Sequence, residues 1–484
     1  MSHALKKIEF GDFQTPDNLA SEICAKLAAL GIAPDVVVEP TCGVGAFVRA
    51  AAAAFPAAQA IYGFEINPSY LAKGQTSADN IHLTQADFFA TDWQKVLRGM
   101  SGSVLVLGNF PWVTNTAQSV IGGKNLPEKS NFQKQAGFDA ISGKANFDIS
   151  EWMLLEVLKW FSGRAGDIAM LVKTAVARKV LAHAERQKLA VREAKVFSID
   201  AKKHFNAAVD ACLLVIRLSD HPADAVYDYT IYPSLSATAG RKVGYRNGMT
   251  VGDLVAFELS AFLMGECPQK WRSGVKHDAA AMMELTRNAQ GTLINGWGEP
   301  VDIEADYLFP LLKGSDIGSG KVWREKFVLI TQHFVGETTD RIRHVAPKTW
   351  AYLQTHAATL QARGSSIYKK NPPFSIFGIG DYAFRPWRIA ICSLYKTLNF
   401  RLVSPIENKP VMFDDTVYYL SFDTEQEAQS VLELFNSESA TRLLSSLIFW
   451  DDKRPIKTSV LNVVDWARLG NPVLVEQAQS ELWT

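Results

Sequence analysis

Asn109-Phe110-Pro111-Trp112 is the stretch of this chain best equipped for chemistry. It brings together the amide oxygen of Asn109, the backbone carbonyl of Phe110 and the flat indole of Trp112, and Pro111 stiffens the turn. Two acceptors beside an aromatic face suit a planar base that carries an exocyclic amino group. The turn follows Val104-Leu105-Val106-Leu107-Gly108, an apolar run that reads as a buried strand. In an open α/β sheet, ligands bind just outside the carboxyl ends of strands. An Asn-x-Pro-aromatic turn is usually only a turn, so the reading depends on what lies upstream.

Upstream, Glu39-Pro40-Thr41-Cys42-Gly43-Val44-Gly45-Ala46-Phe47 follows a first strand and opens a helix. Gly43 and Gly45 let the backbone turn sharply and approach a ligand. The segment lacks both the third glycine of a dinucleotide fingerprint and the Lys-Ser/Thr of a phosphate loop, which disfavours a nucleoside triphosphate. A second strand ends in Glu65-Ile66-Asn67-Pro68, where a carboxylate can accept hydrogen bonds from both ribose hydroxyls of an adenosine. After a third strand, Asp87-Phe88 offers a carboxylate to an adenine amino group and a ring to its face. Each piece alone is bland. In this order and spacing they point to a nucleoside site whose ligand need not carry phosphates.

Elements that could position these residues are legible as alternating patterns. Strands are expected at 36–38, 60–64, 81–83, 104–107, 168–172 and 211–216, and helices at 19–30, 46–54, 149–160 and 178–193. Continuous apolar strands alternating with helices imply an α/β fold with a mostly parallel sheet covered on both faces. The alternation stops near Leu218, and His221-Pro222 opens a more irregular segment. Two domains are therefore expected, 1–220 and 221–484, with a subsidiary break within 241–252.

The 484 residues suit two domains, and 48% hydrophobic against 21% charged residues describes a globular chain. Met1-Ser2-His3-Ala4-Leu5-Lys6-Lys7 is not followed by an apolar core, so no signal peptide is expected, and no apolar run approaches the roughly 20 residues of a membrane span. The five cysteines are scattered without a Cys-x-x-Cys pair, which argues for a reducing cytoplasm and against structural zinc; no metal site is expected. Net charge is +0, but the segment 313–409 holds 15 Lys/Arg against 6 Asp/Glu, with aromatics interleaved. That pattern reads either as a solvated basic face or as a phosphate-contacting surface.

The order Glu39 to Phe47, Glu65, Asp87-Phe88, then Asn109 to Trp112 closely resembles the S-adenosylmethionine-dependent DNA adenine-N6 methyltransferases, above all their Taq-type group from restriction–modification systems. Phe13-Gln14-Thr15-Pro16 matches the family segment that closes over the methionine end of the cofactor. Asn206 to Leu213, with Phe205 beside it, resembles the late motif that lines the target-base pocket. The resemblance implies a Rossmann-like methyltransferase domain followed by a mixed α+β target-recognition domain. It implies S-adenosyl-L-methionine as cofactor, held by Phe13, Thr15, Pro16, Glu39, Thr41, Gly43, Gly45, Glu65, Ile66, Asp87, Phe88 and Asn109. Asn109, Phe110, Pro111 and Trp112 become the catalytic turn, and Trp112 and Phe205 the base pocket.

By the same resemblance, the Asn109 side chain and the Phe110 carbonyl accept hydrogen bonds from the adenine amino group and localise its lone pair on nitrogen. Trp112 stacks on the base, which must first flip out of the duplex at a cost of a few kcal/mol. The family usually carries Pro at the position of Phe110. A carbonyl acceptor survives any side chain there; only the ring's restriction of φ is lost. Asn371-Pro372-Pro373-Phe374 matches the family tetrapeptide more closely still, but it follows a polar Ser366-Ile367-Tyr368-Lys369-Lys370 run and lies far from any glycine turn. It reads as a rigid turn in the recognition half.

More loosely, 309–317, 374–380 with Trp387-Arg388, Asp414-Asp415-Thr416 with Tyr418, and Lys453-Arg454-Pro455 resemble the family's specificity region. Double-stranded DNA is the implied partner, with Lys369, Lys370, Arg385 and Arg388 as candidate contacts. A cognate restriction endonuclease is a further implied partner, and a cytoplasmic monomer is the expected state. Methyl transfer to cytosine N4 is the nearest rival, since the same acceptors serve either amino group; such enzymes usually carry Ser in place of Asn109. Protein glutamine and RNA are further candidate substrates. A degenerate module kept for DNA recognition is the reading from a different class.

Overall fold

The computed structural model describes residues 14–74, 78–112 and 148–469. The chain divides into two compact units, 1–251 and 252–484.

Among the described residues the first unit is built on one ten-stranded sheet. Its strands are β1 (Val36–Glu39), β2 (Ala60–Glu65), β3 (Ile81–Gln85), β4 (Val104–Asn109), β5 (Gly166–Lys173), β6 (Val191–Ile199), β7 (Ala211–Leu218), β8 (Tyr229–Tyr232), β9 (Arg241–Arg246) and β10 (Met249–Val251). They lie in the order β10-β9-β8-β6-β7-β5-β4-β1-β2-β3. β3, β2, β1, β4 and β5 run parallel, and β7 enters antiparallel between β5 and β6. Between the strands come α1 (Asp17–Ala29), α2 (Ala46–Ala54), α3 (Pro68–Gly74), α4 (Trp93–Arg98), α5 (Ile149–Trp160), α6 (Thr174–Arg186) and α7 (Ala201–Phe205).

This is a Rossmann-like α/β fold, and the strands that carry it are those with continuous apolar runs. β1, all but the last residue of β4, and the middle of β5 are wholly buried, as a sheet covered on both faces requires. The core beneath the site joins Leu19, Ile23, Phe47, Ile61, Leu107 and Leu171. α5 starts where the Asp148 side chain accepts the Ser150 N–H, and α7 starts at a like cap from Asp200 to Lys203.

Two elements differ from the sequence-based expectation. The helix expected to reach Glu193 ends at Arg186, and 191–199 is the strand β6. Arg192, Glu193 and Lys195 interrupt its apolar residues and hide the strand pattern, yet Val191, Ala194, Val196, Phe197 and Ile199 are buried. The residues just past 220 also add to the first sheet: β8 pairs parallel with β6, and β9 and β10 extend the edge. The division of the chain falls at 251/252, inside the subsidiary break.

The second unit is mixed α+β. One sheet of four strands runs β11 (Arg272–Ser273), β19 (Val417–Phe422), β16 (Trp387–Cys392), β17 (Arg401–Val403). A second runs β13 (Leu293–Ile294), β12 (Glu284–Arg287), β15 (Lys326–Leu329), β14 (Leu308–Leu312), β18 (Met412–Phe413). Among the described residues no helix is long and apolar enough to cross a membrane.

Candidate functional site

Order in the sheet gathers the expected residues. β1 lies between β2 and β4, so Glu39, Glu65 and Asn109, the last residues of three neighbouring parallel strands, stand at one edge. This is the point where strand order reverses direction, the usual binding crevice of an open parallel sheet.

Glu39 is 3% exposed, and its Oε2 is buried without a hydrogen-bond partner. Burial pushes its carboxyl well above the usual carboxylate range, and the neighbouring Glu65 adds to this; the Val48 backbone N–H and Arg49 act the other way. The hydroxyl of Thr41 is likewise buried without a partner. Buried polar atoms are nearly always satisfied, so two orphans at the head of a glycine turn are the mark of a ligand site. A carboxyl whose charged form is disfavoured by burial is suited to a cationic ligand group, which would favour that charge.

The turn takes the shape the glycines allow. Gly43 and Gly45 have φ of 51° and 78°, in the left-handed region. The N–H of Gly43 donates to Glu65 Oε2 at 2.9 Å, and the N–H of Asn67 donates to Glu65 Oε1 at 2.8 Å. Glu65 therefore ties the turn to the end of β2. A carboxylate has about four acceptor positions, so this strut is compatible with holding hydroxyls as well. Beside it Ile66 is 42% exposed, an apolar side chain set at the rim of the crevice.

The segment before α1 crosses the same edge. Gln14 accepts the Val44 N–H through Oε1 at 3.1 Å, and Thr15 accepts the Asn109 amide nitrogen at 3.3 Å. The second bond sets the orientation of the Asn109 amide, with its nitrogen toward Thr15. Pro16 occupies the cap position of α1. Phe13 lies outside the described residues. Gln14 lies within the segment that resembles the family's but is given no role of its own by the sequence, because its type alone carries no signal.

Asp87 accepts the Phe89 N–H through Oδ1 at 2.9 Å. Phe88 is buried in an aromatic cluster with Trp93, Phe110 and Trp160, at centroid distances of 5.4, 5.5 and 5.7 Å. Phe110 is 1% exposed and packs edge-on against Phe88. The two residues thus link the Asp87 turn to the Asn109 turn. Trp112 meets Phe205 edge-on at 5.0 Å, so the two expected base-pocket rings do come together. Trp112 is also tied to β5: its indole N–H donates to the Leu171 carbonyl at 3.4 Å, and Lys173 Nζ donates to its own carbonyl at 3.1 Å. Lys173 and its partner Asp148, at 2.6 Å, are not apparent from the sequence because they are 25 residues apart in no recognisable motif.

The second tetrapeptide is arranged otherwise. The carbonyl of Pro372 accepts the Ser375 N–H, that of Pro373 the Thr339 hydroxyl, and that of Phe374 the Thr331 hydroxyl. The Asn371 amide nitrogen donates to Ile367. Its acceptors serve the fold of the second unit.

Among the expected DNA contacts, Lys369, Lys370 and Arg385 are exposed, and Arg385 faces Asp423 at 3.7 Å. Arg388 requires a correction. It is 0% exposed, donates to the carbonyls of Trp387 and Ala383, and lies over the Tyr419 ring. Burial lowers its guanidinium pKa to about 10. It sits within the buried run of β16 and is a core residue. The basic excess of 313–409 is likewise partly internal: Lys313 is paired with Glu284, Arg363 is buried, and Arg401 and Lys409 donate to backbone carbonyls.

No protein-family model matches the chain. Over 475 residues it is 46% identical to the type II methyltransferase M.NspV of Nostoc sp., spanning 97% of this chain and 98% of the relative. The chain belongs to the type II methyltransferases. Among solved structures, the type IIL restriction–modification enzyme MmeI in complex with DNA aligns over 99% of this chain and 77% of its own, at 12% identity and a TM-score of 0.47. A class I S-adenosylmethionine-dependent methyltransferase of Listeria monocytogenes aligns over 46% of this chain and 67% of its own, at 12% identity and a TM-score of 0.32. The methyl donor of this methyltransferase is S-adenosyl-L-methionine, and the orphaned Glu39 and Thr41 atoms fit a cationic, polar ligand end.

The state of Glu39 has a measurable consequence. A carboxyl whose folded pKa is raised stabilises the fold below its unfolded pKa, about 4.3, and that stability is lost as pH rises through the folded value. Glu39→Gln removes the charging step. The variant without cofactor is therefore expected to gain thermal stability over the wild type as pH rises from about 5 to about 8, while losing cofactor affinity. Thermal denaturation across that range checks this; a gain that does not grow with pH would show that burial does not raise the Glu39 carboxyl.

Proposed function

We propose that this methyltransferase is site-specific for DNA and transfers the methyl group to the N6 amino group of an adenine flipped out of the duplex, within a restriction–modification system. The observation that carries the reading is the Asn109 turn. Asn109 closes β4 one strand from Glu39, Thr15 sets its amide, and the Trp112 and Phe205 rings meet beside it.

The cofactor supplies an electrophilic methyl group on a sulfonium. Glu39, Thr41 and the Gly43–Gly45 backbone hold its methionine end, with Thr15 and Pro16 above. Glu65 holds the ribose, and Ile66, Asp87 and Phe88 the adenine. Asn109 Oδ1 and the Phe110 carbonyl accept from the substrate amino group, localise its lone pair and stabilise the positive charge that develops on nitrogen. Pro111 stiffens the turn, and Trp112 with Phe205 fixes the base plane, so that positioning lowers the barrier by several kcal/mol.

The first unit then performs the transfer and the second recognises double-stranded DNA. Lys321, Arg324, Arg343, Lys369 and Lys396 are exposed there and supply phosphate contacts, together with Lys370 and Arg385. The substrate places the enzyme in the cytoplasm, and a monomer with a separate cognate endonuclease suits one asymmetric site acting on one strand at a time.

The test is incubation with tritiated S-adenosylmethionine and unmethylated genomic DNA, followed by nucleoside analysis. Labelled N6-methyladenine supports the reading. Labelled N4-methylcytosine keeps the mechanism and changes the base, and no label in DNA overturns it.

Charge substitutions separate surface from core. Lys369→Gln with Arg385→Gln is expected to weaken DNA binding and to flatten the slope of log affinity against log salt by about one for each phosphate no longer neutralised. Arg388→Met should leave that slope alone and destabilise the protein by about 1–3 kcal/mol through removal of its buried hydrogen bonds. Fluorescence anisotropy over a salt series reads the slopes and thermal denaturation the stability; a slope change for Arg388→Met alone would reverse the assignment.

A further inference from the structure

We propose that Lys173, oriented by Asp148, is a positioning residue for methyl transfer that acts through Trp112. The inference rests on the reading of Asn109–Trp112 as the transfer site.

Lys173 is the last residue of β5, the strand beside β4. Its ammonium bridges the Trp112 carbonyl at 3.1 Å and Asp148 Oδ2 at 2.6 Å. The other carboxylate oxygen, Asp148 Oδ1, accepts from the N–H and the hydroxyl of Ser150 at 3.1 and 2.5 Å. The carboxylate is thus fixed at the start of α5 and cannot swing away from the lysine. Trp112 also reaches β5 through its indole, whose N–H donates to the Leu171 carbonyl at 3.4 Å. Backbone and side chain of one tryptophan are therefore tied to one strand, at residues two apart. Phe205 meets the ring edge-on from another element.

These ties do for Trp112 what Thr15 does for Asn109 at the other end of the turn. A charge-assisted bond to a carbonyl is short and directional, and both partners of the ion pair are largely withdrawn from solvent. Such pairs add little net stability, because desolvation offsets attraction. What this pair does fix is the path of the chain where it leaves the turn, and with it the plane of the indole. A base stacked on that plane inherits its position relative to the methyl donor, and a displacement of about 1 Å at a reacting centre can cost about a hundredfold in rate.

A double-mutant cycle on the whole protein tests this. Asp148→Asn with Lys173→Met removes the clamp without leaving one charge buried alone. Methyl transfer to unmethylated genomic DNA is followed well below the melting temperature, and the cofactor dissociation constant is measured separately. The clamp variant is expected to lose about tenfold to a hundredfold in kcat, with cofactor affinity kept within about threefold. Trp112→Ala lowers kcat by itself, and adding the clamp substitutions to it should cost less than about twofold more, since coupled residues are not additive.

A full additional loss in the Trp112→Ala background overturns the role through Trp112 and leaves the site reading standing. Normal kcat for Trp112→Ala alone overturns the site reading, and the inference with it. Should the paired substitution fail to fold, the same cycle is run with Lys173→Gln, which keeps a neutral donor; equal losses in both backgrounds would again overturn the proposal.

Discussion

Asn109→Ala is expected to lower methyl transfer by about a hundredfold to a thousandfold, the range seen when one aligned hydrogen-bonding group is removed from a transition state. Cofactor affinity should change little. Glu39, Thr41 and Glu65 lie on β1, the turn after it and β2, and Asn109 is joined to the segment before α1 by its bond to Thr15. Losing that bond frees one hydroxyl near the surface and removes nothing from the glycine turn, which Glu65 and Gln14 hold independently. Transfer of tritium to DNA measures the first quantity, and isothermal titration with S-adenosylmethionine the second. Near-normal turnover would sink the catalytic assignment of Asn109. A collapse of cofactor binding would instead show that the Asn109–Thr15 bond organises the donor site, making the residue structural first.

Much of the first unit was legible because its central strands are buried on both faces. Such strands exclude polar residues, so β1, β2, β4, β5 and β7 appear as apolar runs with a functional residue or a turn at the carboxyl end. β6 carries Arg192, Glu193 and Lys195 within its length. Those side chains mix with its apolar residues and imitate a continuation of α6. β8 to β10 are short, partly exposed strands at one side of the sheet, and their polar residues read as the start of another domain. Charge counting failed at Arg388 for a related reason: a count cannot tell a guanidinium on the surface from one laid over Tyr419 inside a sheet. The buried neighbours Ile389, Ala390 and Ile391 were the available signal.

The candidate site was legible in outline and not in detail. Residue types at strand ends named Glu39, Glu65, Asp87 and Asn109. Sequence could not show that Glu65 uses two acceptor positions on the backbone N–H groups of Gly43 and Asn67, or that Lys173 reaches back to Trp112. Those bonds depend on strand order, which places β5 beside β4.

Phe110→Ala is expected to destabilise the protein by about 3–5 kcal/mol, the usual cost of deleting a buried phenylalanine ring. At roughly 2–4 °C per kcal/mol this lowers the melting temperature by on the order of 10 °C. The ring is 1% exposed and packs against Phe88, itself held among Trp93 and Trp160. A proline here, as in the N6-adenine family that the sequence resembles, would stiffen the turn by closing a ring on its own backbone; here the Phe110 side chain is buried in an aromatic cluster. On the proposed reading, packing takes the place of the restriction of φ, and the backbone carbonyl stays available as an acceptor. The loss should therefore reach function by two routes: a looser Phe110 carbonyl lowers kcat, and a relaxed Phe88 shifts Asp87 and raises KM for the cofactor. Phe110→Leu, which refills most of the volume, should recover the greater part of both. Calorimetry with steady-state kinetics on the two variants decides the matter. A Phe110→Ala protein that melts like the wild type would mean that the turn draws its rigidity from Pro111 and the Trp112 ties alone.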